Sequence, residues 1–143
     1  MSEWAGSKVC FSFKKELLEA GHNFLMDTFK LALYGSEAVL NESTTAYTEQ
    51  GELFPIEGYT TGGKEITVDA PVLVNGTALV PFETVVWQPA SFTARGALCY
   101  NASRAGWPAV FVLDFGSDRQ ANGTNFAVQF PGADPNASIL RLT

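Results

Sequence analysis

The clearest hydrophobic pattern of the chain lies between residues 91 and 130. Three apolar segments, at 92–100, 108–115 and 124–130, are separated by connections rich in Asn, Gly, Ser and Asp. Because turns select these residue types, the pattern predicts three strands joined by turns. Apolar and polar side chains also alternate along 28–34, which predicts a fourth strand.

Shorter strands are predicted in the rest of the chain. They lie at 64–69, 72–74, 78–80, 84–87 and 138–142. The sequence Asn75-Gly76 separates two of them, and this dipeptide favours the type I′ turn of a two-residue hairpin. About eight or nine short strands with turns between them are typical of a β-sandwich or a barrel.

A short helix is predicted over residues 12–20. Ser12 can cap its N-terminus, and Gly21 can end it in a left-handed conformation. Phe13, Leu17 and Leu18 would form its apolar face. A helix of this length is marginal alone, so we expect it to pack on the strands.

Length and composition fit a single β-rich domain over residues 12–143, preceded by an irregular N-terminal arm at 1–11. The 143 residues are 46% hydrophobic and 13% aromatic, which is sufficient for a core. The predicted fold class is mainly β: an antiparallel β-sandwich or jelly-roll-like barrel with one short N-terminal helix. The predicted core contains Phe29, Leu31, Leu33, Leu98, Val110, Val112, Leu113, Phe115, Phe126, Val128 and Phe130.

Charge and cysteine usage exclude several classes of partner. The net charge is −6 and the nine Lys and Arg residues are scattered, which argues against binding nucleic acid. No apolar run approaches the ~20 residues of a membrane span, so no membrane partner is expected. The first residues do not resemble a signal peptide, so we expect synthesis in a cytosol. Cys10 and Cys99 are expected to be reduced, buried side chains.

The residues predict neither an enzyme nor a cofactor or metal site. His22 is the only histidine, and a histidine just after a helix is usually a cap or a surface residue. Asp114 and Asp118 could together ligate calcium, but a turn at the end of a strand is the favoured interpretation. Arg95 and Arg104 are predicted to pair with Asp114 or Asp118 across the sheet, with contact to a partner as the less favoured alternative.

Aromatic residues leave one binding function open. Trp87 and Trp107, with neighbouring Phe and Tyr residues, could form a platform on which a sugar stacks. Aromatic residues at strand positions are more often part of the core, which is the favoured interpretation. A glycan-binding module nevertheless remains an alternative function.

Five segments of the chain resemble small virion proteins of tailed bacteriophages. The segments are FKLALY at 29–34, TTAY at 44–47, GYTTGG at 58–63, FTARGAL at 92–98 and VLDFG at 112–116. Similar motifs occur in the same order in that family, and the matches span residues 24 to 142. The chain departs from the family at 49–57, where its sequence is EQGELFPIE.

The resemblance implies a structural protein of the virion, with no catalytic residues to transfer. The expected role is capsid decoration (a cement protein), located on the capsid surface after synthesis in the host bacterial cytoplasm. Its expected partners are the major capsid protein and further copies of itself, with a trimer as the favoured oligomer. A head–tail connector, or a tail or fibre component, is the alternative station.

Two irregular segments carry large apolar side chains that nothing local would bury. The arm contains Trp4, Val9 and Phe11, and the loop at 49–63 contains Phe54 and Tyr59. Exposed apolar residues of this kind often serve as anchors in protein interfaces. These five residues are therefore the predicted partner contacts.

Overall fold

A computed structural model describes residues 6–56 and 58–143 of the chain. Its elements are, in order, β1 (Lys8–Val9), α1 (Phe11–Leu18), β2 (Phe29–Tyr34), β3 (Lys64–Ile66), β4 (Val72–Val74), β5 (Thr77–Leu79), β6 (Val85–Asn101), β7 (Ala109–Val128) and β8 (Arg141–Leu142). Strands hold 46% of the residues and helix 6%, so the prediction of a mainly β chain with one short helix is confirmed over the described residues.

The strands form two antiparallel sheets. The larger sheet has the order β1-β7-β6-β2-β3, and the smaller sheet has the order β4-β5-β8. Every strand pair in both sheets is antiparallel. This arrangement is consistent with the predicted sandwich-like fold.

The two longest strands, β6 and β7, merge segments that the sequence pattern separates. The predicted strands at 84–87 and 92–100 are both part of β6, and those at 108–115 and 124–130 largely coincide with β7. The predicted turn between the latter two is wrong. Its residues stay in the strand because irregularities of register absorb them, with Gly116 and Gly123 at positive φ beside two of these shifts.

The shorter elements follow local sequence signals more closely. Asn75 and Gly76 have φ values of 51° and 83°, as the type I′ hairpin between β4 and β5 requires. The remaining predicted strands are real but shorter than expected. At 64–69 only Lys64–Ile66 forms a strand, and at 138–142 only Arg141–Leu142 does.

Helix α1 begins and ends at different residues from those predicted. Cys10 occupies the N-cap position, and Ser12 lies within the helix with a buried hydroxyl that has no hydrogen-bond partner in the described structure. At the other end the Gly21 amide donates to the Glu16 carbonyl (2.7 Å), as in a Schellman motif. The left-handed residue of this motif is Ala20, with φ 59°, and not Gly21.

The described part of the predicted arm is built into the larger sheet. Lys8 and Val9 pair with Val112 and Phe111 of β7, and the amide of Gly6 donates to the Asp114 carboxylate at 2.7 Å. The prediction of an irregular segment is therefore wrong for residues 8–11, where β1 is followed directly by α1. Trp4 lies outside the described residues.

Most of the predicted core is buried. Phe29, Leu31, Leu33, Leu98, Val110, Val112, Phe126 and Val128 are buried as expected, whereas Leu113, Phe115 and Phe130 are only partly buried against the same cluster. Cys10 and Cys99 are free and buried, as expected. Burial, together with the nearby carboxylates of Glu16 and Glu42, raises the pKa of the Cys10 thiol to about 12, so the thiol is protonated at neutral pH.

Candidate interaction surface

An apolar groove runs between α1, β1 and the smaller sheet. Its volume is about 800 Å³, within the range of clefts that hold ligands. The apolar side chains along it include Val9, Phe11, Leu17, Leu18, Leu140 and Leu142. The groove thus joins residues from both ends of the sequence, which no local sequence pattern indicates.

Two predicted partner contacts lie in this groove. Val9 is half-buried in β1, and Phe11 at the start of α1 is 57% exposed. The ammonium group of Lys14 lies 5.4 Å from the centre of the Phe11 ring, within the range of a cation–π contact. The structure therefore brings Val9 and Phe11 to one apolar surface, while contact with a partner stays a prediction.

The charged residues that line the groove are mainly basic. Lys8, Lys14 and Arg141 line it, together with the single carboxylate of Glu42. Over the described residues, none of these three basic groups forms a salt bridge. The groove is therefore a locally positive region on a chain whose net charge is −6.

A second feature is the loop at 49–63, which a buried carboxylate holds in place. Glu52 accepts hydrogen bonds from the hydroxyls of Tyr47 and Tyr59 and from the Gly62 amide, the last at 2.8 Å. The amide of the next residue, Leu53, donates to the Leu33 carbonyl of β2 at 3.0 Å. Both ends of the loop are thereby tied to one side chain and to the larger sheet.

Tyr59 is part of this internal anchor and not of the exposed surface. It is only 4% exposed, its hydroxyl accepts from the Leu33 amide (3.0 Å), and its ring contacts Phe92 edge-on. The prediction of Tyr59 as an exposed contact is therefore wrong for the chain alone. The sequence pattern of an irregular, Gly-rich loop does not reveal that Glu52 offers its hydroxyl a buried acceptor.

The exposed apolar side chains of the loop are Phe54 and Ile56. Phe54 is 85% exposed, in agreement with its predicted position on the surface, and Ile56 is 52% exposed. Sequence reasoning missed Ile56 although it satisfies the same criterion as Phe54, a large apolar side chain in an irregular segment. The two residues lie between the anchored residues Leu53 and Tyr59 of the loop.

All four tyrosines of the chain surround Glu52. Tyr34 donates to the Thr48 carbonyl and Tyr100 to the Gly62 carbonyl, each at 2.6 Å. Burial raises the pKa of all four phenols, and the negative charge of Glu52 raises each further. For Tyr100 the result is a pKa of about 12, so this phenol is protonated at neutral pH.

The two candidate tryptophans of a sugar platform have different environments. Trp87 is buried and contacts Phe126 edge-on, which confirms the core interpretation for this residue. Trp107 is 51% exposed beside the rings of Tyr47 and Tyr100, and its backbone has the left-handed φ of 48°. Of this pair, Trp107 alone offers ring surface to a ligand.

His22 is buried, so of the two sequence expectations, a helix cap or a surface residue, the second is wrong. One imidazole nitrogen, Nε2, lies 2.9 Å from a Glu16 carboxylate oxygen, and the other, Nδ1, lies 3.1 Å from the amide nitrogen of Asn101. The Asn101 amide also donates to Asp27 at 2.9 Å. Both nitrogens of the imidazole are thus engaged in a polar network that joins α1 to β6.

The two arginines form ion pairs with different aspartates. Arg95 pairs with Asp114, as predicted, whereas Arg104 pairs with Asp27 at 2.8 Å. Burial alone would raise the pKa of Asp114, but hydrogen bonds from Arg95, Gly116 and Gly6 outweigh it and hold this pKa below its usual value. Asp114 is accordingly a structural acceptor at the junction of β1 and β7.

Among residues 6–56 and 58–143, no three His, Cys, Asp or Glu side chains cluster as metal ligands would, and no helix has the length and apolarity to cross a membrane. No family model, curated protein or solved structure matches the chain.

Proposed function

We propose that this chain is a structural protein of a tailed-bacteriophage virion, and specifically a capsid decoration protein that links neighbouring major-capsid subunits. One observation carries the proposal: two separate apolar surfaces are exposed on one antiparallel β scaffold. They are the groove beside Val9 and Phe11 and the loop that exposes Phe54 and Ile56. A protein that links subunits needs at least two such surfaces.

Two weak contacts made by one rigid body reinforce each other. Once the first surface is bound, the second meets its partner at high effective concentration, so the combined affinity exceeds that of either contact. Symmetric self-association, with a trimer as the favoured state, multiplies the number of contacts again. This logic suits a shell lattice, where the same partner surface recurs at every lattice position.

The anchoring of the loop supports Phe54 as a contact. Because the Glu52 side chain and the Leu53 amide hold the backbone on the N-terminal side of Phe54, less backbone entropy is lost when Phe54 binds than in a loop without these bonds. An exposed phenylalanine on such a loop is therefore preorganised for an apolar pocket on a partner.

Copy number distinguishes decoration from the alternative stations. We expect on the order of hundreds of copies per virion for a shell protein, whereas a head–tail connector is present in about a dozen because of its ring symmetry. Quantitative mass spectrometry of purified virions, with the major capsid protein as internal standard, measures this ratio. About a dozen copies would refute the decoration role and favour the connector.

Binding to heads assembled without this chain tests the contact residues. Phe54→Ser should reduce the occupancy of such heads, whereas Leu73→Ser should not. Leu73 is a matched control because it is 75% exposed but lies on the hairpin of β4, outside both surfaces. Deletion of residues 1–5 tests Trp4 without removing β1. Equal occupancy for the Phe54 and Leu73 variants would contradict the assignment of the loop.

Trp107 favours a second candidate, a glycan-binding module on the virion. Its half-exposed ring next to Tyr47 could stack on a sugar, and its left-handed backbone is a conformation that often marks binding sites. In this case acrylamide should quench Trp107 fluorescence, and host cell-surface polysaccharide should protect it. Absence of protection at saturating polysaccharide would remove this candidate.

A further inference from the structure

The groove beside α1 is bounded by the edge strands of both sheets. In the larger sheet β1 has β7 as its one hydrogen-bonded neighbour, and in the smaller sheet β8 has only β5, as far as the described residues show. Residues of both edge strands, Lys8, Val9, Arg141 and Leu142, line the groove. Open strand edges are sites where another extended chain can add by main-chain hydrogen bonds.

The register shows which main-chain groups of β1 are open. The Cys10 amide donates to Val110 of β7 (3.0 Å), so Cys10 directs its main-chain groups toward that strand. In an antiparallel pair the residues alternate, so the N–H and C=O of Val9 point away from β7. Phe11 confirms the alternation, because its amide turns outward to the Glu42 carbonyl at 2.8 Å.

The same alternation applies to β8. The carbonyl of Leu140 accepts from the Val80 amide (3.1 Å), which directs Leu140 and Leu142 toward β5. The N–H and C=O of Arg141 therefore point away from β5. By this register the main-chain groups of Val9 and Arg141 do not bond to the neighbouring strand, and no turn or loop hydrogen bond reaches them in the described residues; both residues line the groove.

The side chains define what an added segment would carry. The walls are apolar, so side chains directed into the groove should be apolar. The groove has three basic residues and one carboxylate, whereas the chain as a whole is acidic. The local positive charge favours a ligand that carries carboxylates. A strand alternates its side chains between two faces, which allows one segment to satisfy both requirements.

We propose that the groove binds an extended peptide segment of a partner protein, in which apolar and acidic residues alternate, as a strand added at Val9 and Arg141. The apolar residues fill the groove, the acidic residues meet Lys8, Lys14 and Arg141, and the open N–H and C=O groups bind the peptide backbone. This inference deepens the proposed function, because the groove is one of its two contact surfaces. Peptide binding tests the groove and copy number tests the decoration role. The two measurements are independent, so one hypothesis can be refuted without the other.

The test uses the full chain and an acetylated, amidated hexapeptide of alternating Val and Glu. Binding is followed by isothermal titration calorimetry and by amide hydrogen exchange. We expect saturable binding that weakens with salt, and slower exchange at the amides of Val9 and Arg141. Peptides with Lys in place of Glu, or with N-methylated amides on the hydrogen-bonding edge, should bind at least about 10-fold more weakly.

Variants of the chain separate the two components of binding. Lys14→Glu should lower the affinity for the Val/Glu peptide about 10-fold and raise the affinity for the Val/Lys peptide. Arg119→Glu is the control, because Arg119 is exposed on β7 outside the groove, and it should change neither affinity. Val9→Pro removes one open donor without removing a sheet hydrogen bond, so it should weaken binding while circular dichroism stays unchanged.

Several outcomes would overturn the proposal. Binding of the Val/Lys peptide as tightly as the Val/Glu peptide would refute the charge argument, and unchanged exchange at Val9 and Arg141 would refute strand addition. Binding of laurate but of no peptide would identify the groove as a site for fatty-acid anions. Concentration-dependent protection of the groove without peptide, with dimers in sedimentation, would identify a second copy as its occupant.

Discussion

Replacing Glu52 with alanine is expected to lower the free energy of unfolding more than replacing an exposed Glu with alanine. The substitution removes the acceptor of three hydrogen bonds, from the hydroxyls of Tyr47 and Tyr59 and from the amide of Gly62. Glu65→Ala is the matched control, since Glu65 is exposed on β3 and its side chain forms no hydrogen bond or salt bridge in the described structure.

The magnitude follows from the burial of each donor. A buried donor that loses its acceptor costs about 1–3 kcal/mol, and the hydroxyl of Tyr59 is in this situation. Tyr47 and Gly62 are half-buried, so water can replace part of their lost bonds. The expected loss is about 2–5 kcal/mol, against a total stability of about 5–15 kcal/mol for a typical domain.

Urea unfolding, followed by far-ultraviolet circular dichroism, measures this loss. With a typical dependence of about 1–3 kcal/mol per molar urea, Glu52→Ala should lower the midpoint by about 1–2 M. The Glu65→Ala midpoint should stay within about 0.3 M of the unchanged chain. Equal midpoints for the two variants would refute the argument that Glu52 holds the loop.

Tyrosine ionisation gives an independent reading of the same cluster. Because the phenol pKa values are raised in the folded chain, the stabilisation is complete below the usual tyrosine pKa of about 10 and is lost as pH rises above it. Glu52→Gln removes the negative charge, so the pKa values of Tyr47 and Tyr59 should fall. The measurement is the absorbance of ionised tyrosine as the pH is raised. If it increases at the same pH in the unchanged chain and in Glu52→Gln, the prediction is contradicted.

Two further predictions concern backbone conformation. Gly63→Ala should cost at least about 2 kcal/mol more than Gly76→Ala. Both glycines have positive φ, but an added Cβ at Gly63 would lie 2.0 Å from the Leu31 carbonyl oxygen, whereas at Gly76 it meets nothing within 4 Å; equal losses in urea unfolding would refute this. Ala20→Gly should stabilise the chain by about 0.5–1 kcal/mol, because Ala20 holds a left-handed φ that glycine adopts freely, and a lower midpoint would contradict it.

Elements encoded by a few neighbouring residues were predictable from the sequence. The hairpin at Asn75-Gly76 and the strand β2 follow from turn chemistry and alternation, because each signal lies within the element itself. The turn-rich residues 116–123 misled the prediction because strand pairing with β6 overrides local preference. Tertiary pairing also explains why Cys10, and not Ser12, is the N-cap of α1. The pairing of β1 with β7 ends at Val9, so the helix begins directly after it.

The candidate surfaces were only partly predictable because they depend on tertiary packing. Val9, Phe11 and Phe54 were found by a simple criterion, a large apolar side chain in an irregular segment. The same criterion failed for Tyr59, whose acceptor Glu52 is seven residues away and looks like any surface glutamate in the sequence. The groove joins α1 to Leu140 and Leu142, and only the folded chain places these residues together.

The position of Glu52 explains how Phe54 can remain exposed. A flexible loop could fold Phe54 back onto the protein and gain up to about 1.5–3 kcal/mol from burying its ring. Burying the Glu52 carboxylate is costly unless its hydrogen bonds are made, so the conformation that satisfies them is strongly preferred. That conformation leaves Phe54 and Ile56 on the surface. Keeping apolar side chains in solvent is unfavourable for the chain alone, but it is explained if a partner buries them on binding. The buried polar cluster that keeps Phe54 and Ile56 exposed is therefore the strongest structural argument for a binding role.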